Sequence, residues 1–189
     1  EVEMKAVFFD VDGTLIDCVE KKIPASSIKA IEELRKNGYK VALATGRDIN
    51  SIRGIKDLDI SVFDAYVLNN GAAIYDNTLR CIKDFPFLRE DVKDISARIV
   101  PCPTVCYDVM AKGISKQTGI RELMKYYGFN EDDYMAFGDQ ENDLEMLENA
   151  KIGIAVKDID GSEKLQHMAD YVCDAPRKDG IYTFLKNNG

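Results

Sequence analysis

The sequence predicts an α/β fold: a mainly parallel, Rossmann-like sheet with helices on both faces. Three observations point there. Short apolar runs alternate with helix-length amphipathic stretches along all 189 residues, the pattern left by successive βαβ units. The apolar runs are continuous, as expected of strands covered on both faces. No repeat, low-complexity tract or long linker interrupts them, so one domain with at most a small insertion accounts for the length.

In chain order, the apolar run before Asp10 reads as the first buried strand. Pro24-Ala25-Ser26-Ser27 opens a helix to about Lys36, with Ile28, Ile31 and Leu34 at helical spacing and Asn37-Gly38 as its stop. Residues 40–44 form the second strand, and Thr45-Gly46-Arg47 leads into another helix. Residues 65–68 form a third strand, ending at Asn69-Asn70-Gly71-Ala72, and residues 73–82 read as a hairpin turning at Asp76-Asn77. Residues 84–104 are less regular and hold three of the five prolines. Strand character returns over 105–109. A helix follows from about Ser115 to Tyr127, stopped by Gly128, and the run 134–137 is a strand ending at Gly138-Asp139. A helix at 141–149, a strand at 152–156, a helix near 161–168, a short strand at 171–173 and a terminal helix complete the chain.

The composition, 46% hydrophobic and 31% charged, is that of a soluble globular protein. A net charge of −8 argues against a nucleic-acid or anionic-membrane surface. No run has the length of a membrane span and the N-terminus lacks signal-peptide form, so a cytoplasmic protein is expected. Five scattered cysteines argue against a disulfide framework. Cys102 and Cys106 resemble a zinc half-site only loosely, and free thiols are the simpler reading. The single histidine, His167, reads as a surface residue, which leaves no histidine-based triad.

Chemistry concentrates at the C-terminal ends of the buried strands, where open α/β sheets bind ligands. Asp10 and Asp12 follow the first strand. The period of two in extended chain projects both to one side. Their mutual repulsion suggests a cation, with one aspartate as nucleophile and the other as proton carrier; an Asx-turn closing the strand is the plainer alternative. Thr45-Gly46 can hold phosphate oxygens or simply cap a helix. Gly138-Asp139-Gln140-Glu141-Asn142-Asp143 offers carboxylates and an amide suited to a hard cation such as Mg²⁺, or an acidic first turn that complements the helix dipole. Lys116, unfavourable at a helix start, either neutralises a phosphoryl group and the aspartates or is a solvated lysine.

Together, Asp10-Val11-Asp12-Gly13-Thr14-Leu15, Ala44-Thr45-Gly46-Arg47, Asn69-Asn70-Gly71-Ala72, Lys112-Gly113-Ile114-Ser115-Lys116 and the 138–143 segment resemble the haloacid dehalogenase (HAD) superfamily, and within it the Cof-type phosphatases. The resemblance covers nearly the whole chain. It implies a Rossmann-like HAD core and Mg²⁺-dependent phosphomonoester hydrolysis through an aspartyl-phosphate. It makes Asp10 the nucleophile and Asp12 the proton carrier. It puts Thr45, Gly46, Arg47, Asn70, Lys116 and Asn142 around the phosphate. Asp10, Asp139, Asp143 and the Asp12 main-chain carbonyl become the metal site. The expected substrate is a small phosphorylated metabolite such as a sugar phosphate. A phosphotransferase or phosphomutase sharing the half-reaction, and a non-catalytic phosphate-binding protein on the same fold, are the alternatives.

Two departures from that family are visible. Gln117 stands where glycine usually follows the lysine. The interval from Ala72 to Lys112 is too short for a full cap, so the expected organisation is a catalytic core of 1–75 and 105–189 with a vestigial cap or insertion over 76–104. An open site is expected, with bulky substrates or a neighbouring subunit over it. The run Phe85-Pro86-Phe87-Leu88 is the expected contact patch of a homo-oligomer.

Overall fold

The computed structural model describes residues 4–56, 58–86, 98–101 and 107–188. Among the described residues there are ten strands: β1 (Ala6–Phe9), β2 (Lys40–Ala44), β3 (Ala65–Leu68), β4 (Ala73–Asp76), β5 (Cys81–Asp84), β6 (Arg98–Pro101), β7 (Tyr107–Met110), β8 (Tyr134–Gly138), β9 (Ile152–Lys157) and β10 (Tyr171–Asp174). Eight of them form one sheet in the order β10-β9-β8-β1-β2-β3-β4-β5, and β6 and β7 form a separate antiparallel pair. The six strands from β10 to β3 run parallel. The β3–β4–β5 end is antiparallel. The mainly parallel sheet expected from the buried apolar runs is what forms.

Strand alternation divides the core. From β1 and β2, Val7, Phe9, Val41 and Leu43 face one side, where α1 (Ala25–Lys36), α2 (Ile49–Arg53) and α6 (Gly180–Asn188) cover them through Ile31, Leu34, Ile52 and Ile181. Phe8, Ala42 and Ala44 face the other, beneath α3 (Lys116–Tyr127), α4 (Leu144–Glu148) and α5 (Glu163–Met168), which contribute Ile120, Leu123, Met146 and Leu165. Phe9 stacks on Phe137 at 5.0 Å between ring centres, and Phe8 meets Tyr134 edge-on at 5.3 Å. Each such side chain, once fully buried, contributes roughly 1.5–3 kcal/mol, so β1 is fixed from both faces and both edges. Its last residue, Phe9, pairs with Leu43 of β2 and Phe137 of β8. The three strands therefore finish within one residue of one another and present their next residues to one crevice.

The sequence reading needs five adjustments. The strand β6, Arg98–Pro101, forms within the stretch read as less regular. The hairpin closes over residues 77–80, and its second strand reaches Asp84, so the main sheet extends beyond residue 75. The expected helix at 141–149 is a 3-10 turn, Glu141–Asp143, followed by a five-residue α-helix, because Asp143 turns its side chain back onto the Asp139 and Gln140 N–H groups. Of the strand expected at 105–109, the described residues 107–109 are strand, which runs on to Met110, while 105 and 106 lie outside the described residues. The helix near 161–168 starts at Glu163, after Ser162 caps it by accepting from the Leu165 N–H. Cys102, Cys106, Phe87 and Leu88 lie outside the described residues, while Cys18, Cys81 and Cys173 are free thiols.

Candidate active site

Asp10 leaves the end of β1, Asp139 the end of β8, and Asp143 the turn that follows. All three are buried, and one carboxylate oxygen from each lies within 4.8 Å of the others. Lys116, the first residue of α3, enters between them: its Nζ donates to Asp10 Oδ1 and to Asp143 Oδ1, both at 2.6 Å. The side chain is 0% exposed, so the solvated-lysine reading is excluded. The helix can deliver it because of Gly71, whose φ is +97° and whose Cβ, if it had one, would fall 1.9 Å from the Ser115 carbonyl oxygen. Ser115 caps α3 and, through Thr118, closes a capping box. Glycine at 71 thus allows the cap of α3 to press against the end of β3.

Asp139 is held by Thr14 Oγ1, which donates to Oδ1 at 2.9 Å, and by Gln140 Nε2, which donates to Oδ2 at 3.1 Å. Gly13, at φ +86°, comes so close that a Cβ would sit 2.2 Å from that Oδ2. Asp143 Oδ2 accepts the main-chain N–H groups of Asp139 and Gln140 at 3.0 and 3.1 Å. Burial pushes the Asp10 carboxyl up to about 7, with the Lys116 charge opposing and Asp143 adding to the rise. Burial, then the charges of Asp10 and Asp143, push Asp139 up to about 9. Burial alone lowers Lys116, but the two carboxylates outweigh it and hold the ammonium protonated.

Asp12 does not join this cluster. The period-two argument fails because the strand ends at Phe9 and the chain folds into a turn, closed by the Gly13 N–H donating to the Ile16 carbonyl at 2.9 Å. The Asp12 side chain is 55% exposed and is held by Arg47, with Nε donating to Oδ2 at 2.7 Å and Nη2 to Oδ1 at 2.6 Å. On the same rim, Thr45 is buried and its Oγ1 accepts the Arg47 N–H at 3.2 Å. Asn70, left-handed at φ +52°, accepts from Asn142 Nδ2 at 3.0 Å and packs over Gly46. Such conformations are costly away from glycine and concentrate at functional sites. All ten candidate residues therefore belong to one buried cluster or to its rim. His167 sits apart on the exposed face of α5, its Nδ1 2.7 Å from the Glu163 carbonyl oxygen.

Two contributors escaped the sequence reading. Thr14 and Gln140 stand within the motifs at 10–15 and 138–143, and neither is given a role of its own there. Their polar side chains directly beside Asp10-Val11-Asp12-Gly13 and Asp139 were the available signal. With three carboxylates facing one ammonium, the cluster keeps a surplus of negative charge and all-oxygen donors. That donor set fits a hard divalent cation.

The model of the haloacid dehalogenase-like hydrolase family matches residues 7–101 and 88–185. A phosphoglycolate phosphatase from Methanosarcina acetivorans is 30% identical, over 100% of this chain and 99% of the relative. A 5-amino-6-(5-phospho-D-ribitylamino)uracil phosphatase from Bacillus subtilis is 23% identical, over 99% and 96% of the two chains. Among solved structures, a sugar phosphatase of HAD subclass IIB superposes with a TM-score of 0.85 at 25% identity, covering 97% of this chain and 98% of that one. A HAD-superfamily phosphatase from Bacteroides thetaiotaomicron superposes with a TM-score of 0.86 at 23% identity, covering 99% and 96%. This chain belongs to the haloacid dehalogenase-like hydrolase family and takes its place among that family's phosphatases.

Proposed function

We propose that the protein is a Mg²⁺-dependent phosphomonoester hydrolase acting on small phosphorylated metabolites, such as sugar phosphates, through a phosphoryl group carried on Asp10. The observation that carries this reading is the buried cluster of Asp10, Asp139 and Asp143 bridged by Lys116. Asp10, Asp139, Asp143 and the Asp12 main-chain carbonyl would hold the cation. When bound, it would offset the charge of the phosphoryl oxygens and of the carboxylates that surround them. Phosphoryl transfer asks for positioning and charge neutralisation above all, and Lys116, Thr45, Gly46, Asn70 and Asn142 supply donors for both.

In this reading Asp10 attacks phosphorus and the ester bond to the alcohol breaks. Asp12 gives its proton to the departing alkoxide. Asp12 then takes a proton from the water that attacks phosphorus, which cleaves the bond to Asp10 and frees phosphate. For either transfer Asp12 must leave Arg47, and a phosphoryl group is the natural new partner for that guanidinium.

The segment after β5 is proposed to be a vestigial cap, with the core ending nearer residue 84 than residue 75. Two observations support it. The β6–β7 pair is separate from the main sheet, and β6 lies against the Glu141–Asp143 turn. The alignment to the Methanosarcina relative also spans 231 positions, against 189 residues in this chain. No helix among the described residues is long and apolar enough to cross a membrane, and a cytoplasmic setting suits the reading.

The test is release of p-nitrophenol from p-nitrophenyl phosphate in Mg²⁺ or EDTA, for wild type and Asp10→Asn. Turnover that needs the metal and falls by at least about 10³-fold in the variant is expected. A folded wild-type protein that stays inactive with Mg²⁺, or an Asp10→Asn protein of undiminished rate, would refute the proposal.

A further inference from the structure

We propose that the pocket beside Asp12, lined by Lys21, Lys22, Lys56 and Arg47, binds a second anionic group on the alcohol side of the substrate. The preferred esters are then small phosphomonoesters that carry a further carboxylate or phosphate. This rests on the hydrolase reading for the position of the phosphoryl group, and it names the substrate class.

The pocket is a cavity of about 400 Å³, within the range of small-molecule sites, which runs from about 300 to 1,000 Å³. Asp12, the residue that would face the departing alcohol, lies in its wall. Three lysines open onto one small cavity in a chain whose net charge is −8. Among the described residues, none of the three ammoniums forms an ion pair. The carboxylates in the same wall are already engaged. Asp12 is held by both arms of Arg47. Asp17 accepts from the Val19, Glu20 and Arg177 N–H groups and from Arg177 Nη1. The cavity therefore keeps a net positive lining.

The loop that presents two of the lysines is built rather than loose. The Asp17 N–H donates to the Lys22 carbonyl at 2.9 Å and the Lys21 N–H returns to the Asp17 carbonyl at 2.9 Å. Lys21 itself is left-handed, at φ +55°. A non-glycine residue there is strained, and the two hydrogen bonds that hold it set where the Lys21 and Lys22 backbone emerges. Lys56, three residues beyond the end of α2, lines the same cavity. A ligand whose phosphate reaches Asp10 would thus place a short acidic substituent among the three.

Calorimetry with Mg²⁺ present tests this without turnover. The probes are n-propylphosphonate, 3-phosphonopropionate and propane-1,3-bisphosphonate, and the proteins are wild type, each of Lys21→Met, Lys22→Met and Lys56→Met, and the triple variant. An exposed lysine–anion pair changes affinity by roughly 1.5- to 5-fold. Wild type is therefore expected to bind one or both doubly anionic probes roughly tenfold more tightly than propylphosphonate, with the preference lost in the triple variant and weakened at high salt. Which of the two is favoured separates carboxylate from phosphate recognition. Binding of propylphosphonate, and turnover of p-nitrophenyl phosphate, should be the same in all variants. Equal wild-type affinity for all three probes, or a preference that survives the triple substitution, would overturn the subsite. A protein that keeps the preference but fails to hydrolyse p-nitrophenyl phosphate supports the subsite and overturns only the hydrolase reading.

Discussion

Replacing Asp139 with Asn should move stability and function in opposite directions. Without a cation, three carboxylates converge on one ammonium, and the Asp139 carboxyl is pushed from an ordinary 3.8 up to about 9. Below the ordinary value both folded and unfolded chains hold the proton, so Asp139 costs nothing. As pH rises the unfolded chain releases it and the folded protein does not, so stability is lost progressively up to about 9. At pH 7 that amounts to about 3 units, or about 4 kcal/mol at about 1.4 kcal/mol per unit. Asn keeps an acceptor for Thr14 but loses the one for Gln140, which returns about 1 kcal/mol. Urea unfolding in EDTA should therefore find Asp139→Asn more stable than wild type by about 2–3 kcal/mol at pH 7, with the gain vanishing near pH 4. Saturating Mg²⁺ should close the gap: at a hundredfold excess over Kd it adds about 2.7 kcal/mol to wild type and little to the variant, whose turnover falls. A variant less stable than wild type at pH 7 in EDTA, or one that gains as much from Mg²⁺, would refute the reasoning.

Two further substitutions test the supports of the site. Gly71→Ala would drive a methyl group into the Ser115 carbonyl at a left-handed position. A loss of about 2–4 kcal/mol in urea unfolding is expected, with turnover falling as Lys116 is displaced. A variant of unchanged stability would mean that the α3 cap does not press on Gly71 as described. Arg177→Met removes the guanidinium shared by Asp17 and Asp158. Burial alone raises both carboxyls, but N–H donors and that guanidinium outweigh it and hold them below their ordinary range. Their contribution is therefore present above about pH 4 and lost as pH falls below it. The variant should be markedly less stable at pH 7 and nearly matched to wild type at pH 3; an equal deficit at both would assign Arg177 a packing role only.

The crevice was legible because it is built from strand ends, and strand ends are marked in sequence. A buried run that stops at Asp10, Thr45, Asn69 or Asp139 announces where the sheet finishes. What lay beyond those ends was harder to read. Asp12 was assigned by strand periodicity three residues after the strand had stopped, and its partner Arg47 lies 35 residues on. The role of Lys116 depends on Gly71, since no property of the helix itself says that its first side chain points inward. The link from Asp17 to Arg177 spans 160 residues and leaves no local trace at either end. The hairpin strand β5, exposed along most of its length, was read only as far as residue 82, and β6 went unread within the less regular stretch 84–104.

The central position of β1 also dictates an order of events during synthesis. Its neighbour β2 emerges after about thirty residues, but β8, the neighbour on its other edge, begins only at Tyr134. At roughly 5–20 residues per second, some 5–20 s separate the two. Through that interval the nascent chain carries an open strand edge flanked by Phe8 and Phe9, an invitation to pair with another molecule. For most of that time Asp10 has no Lys116 to meet it. The polypeptide is thus at its most aggregation-prone while still tethered to the ribosome. Its yield in cells should depend on what shields β1 during those seconds more than on the stability of the finished sheet.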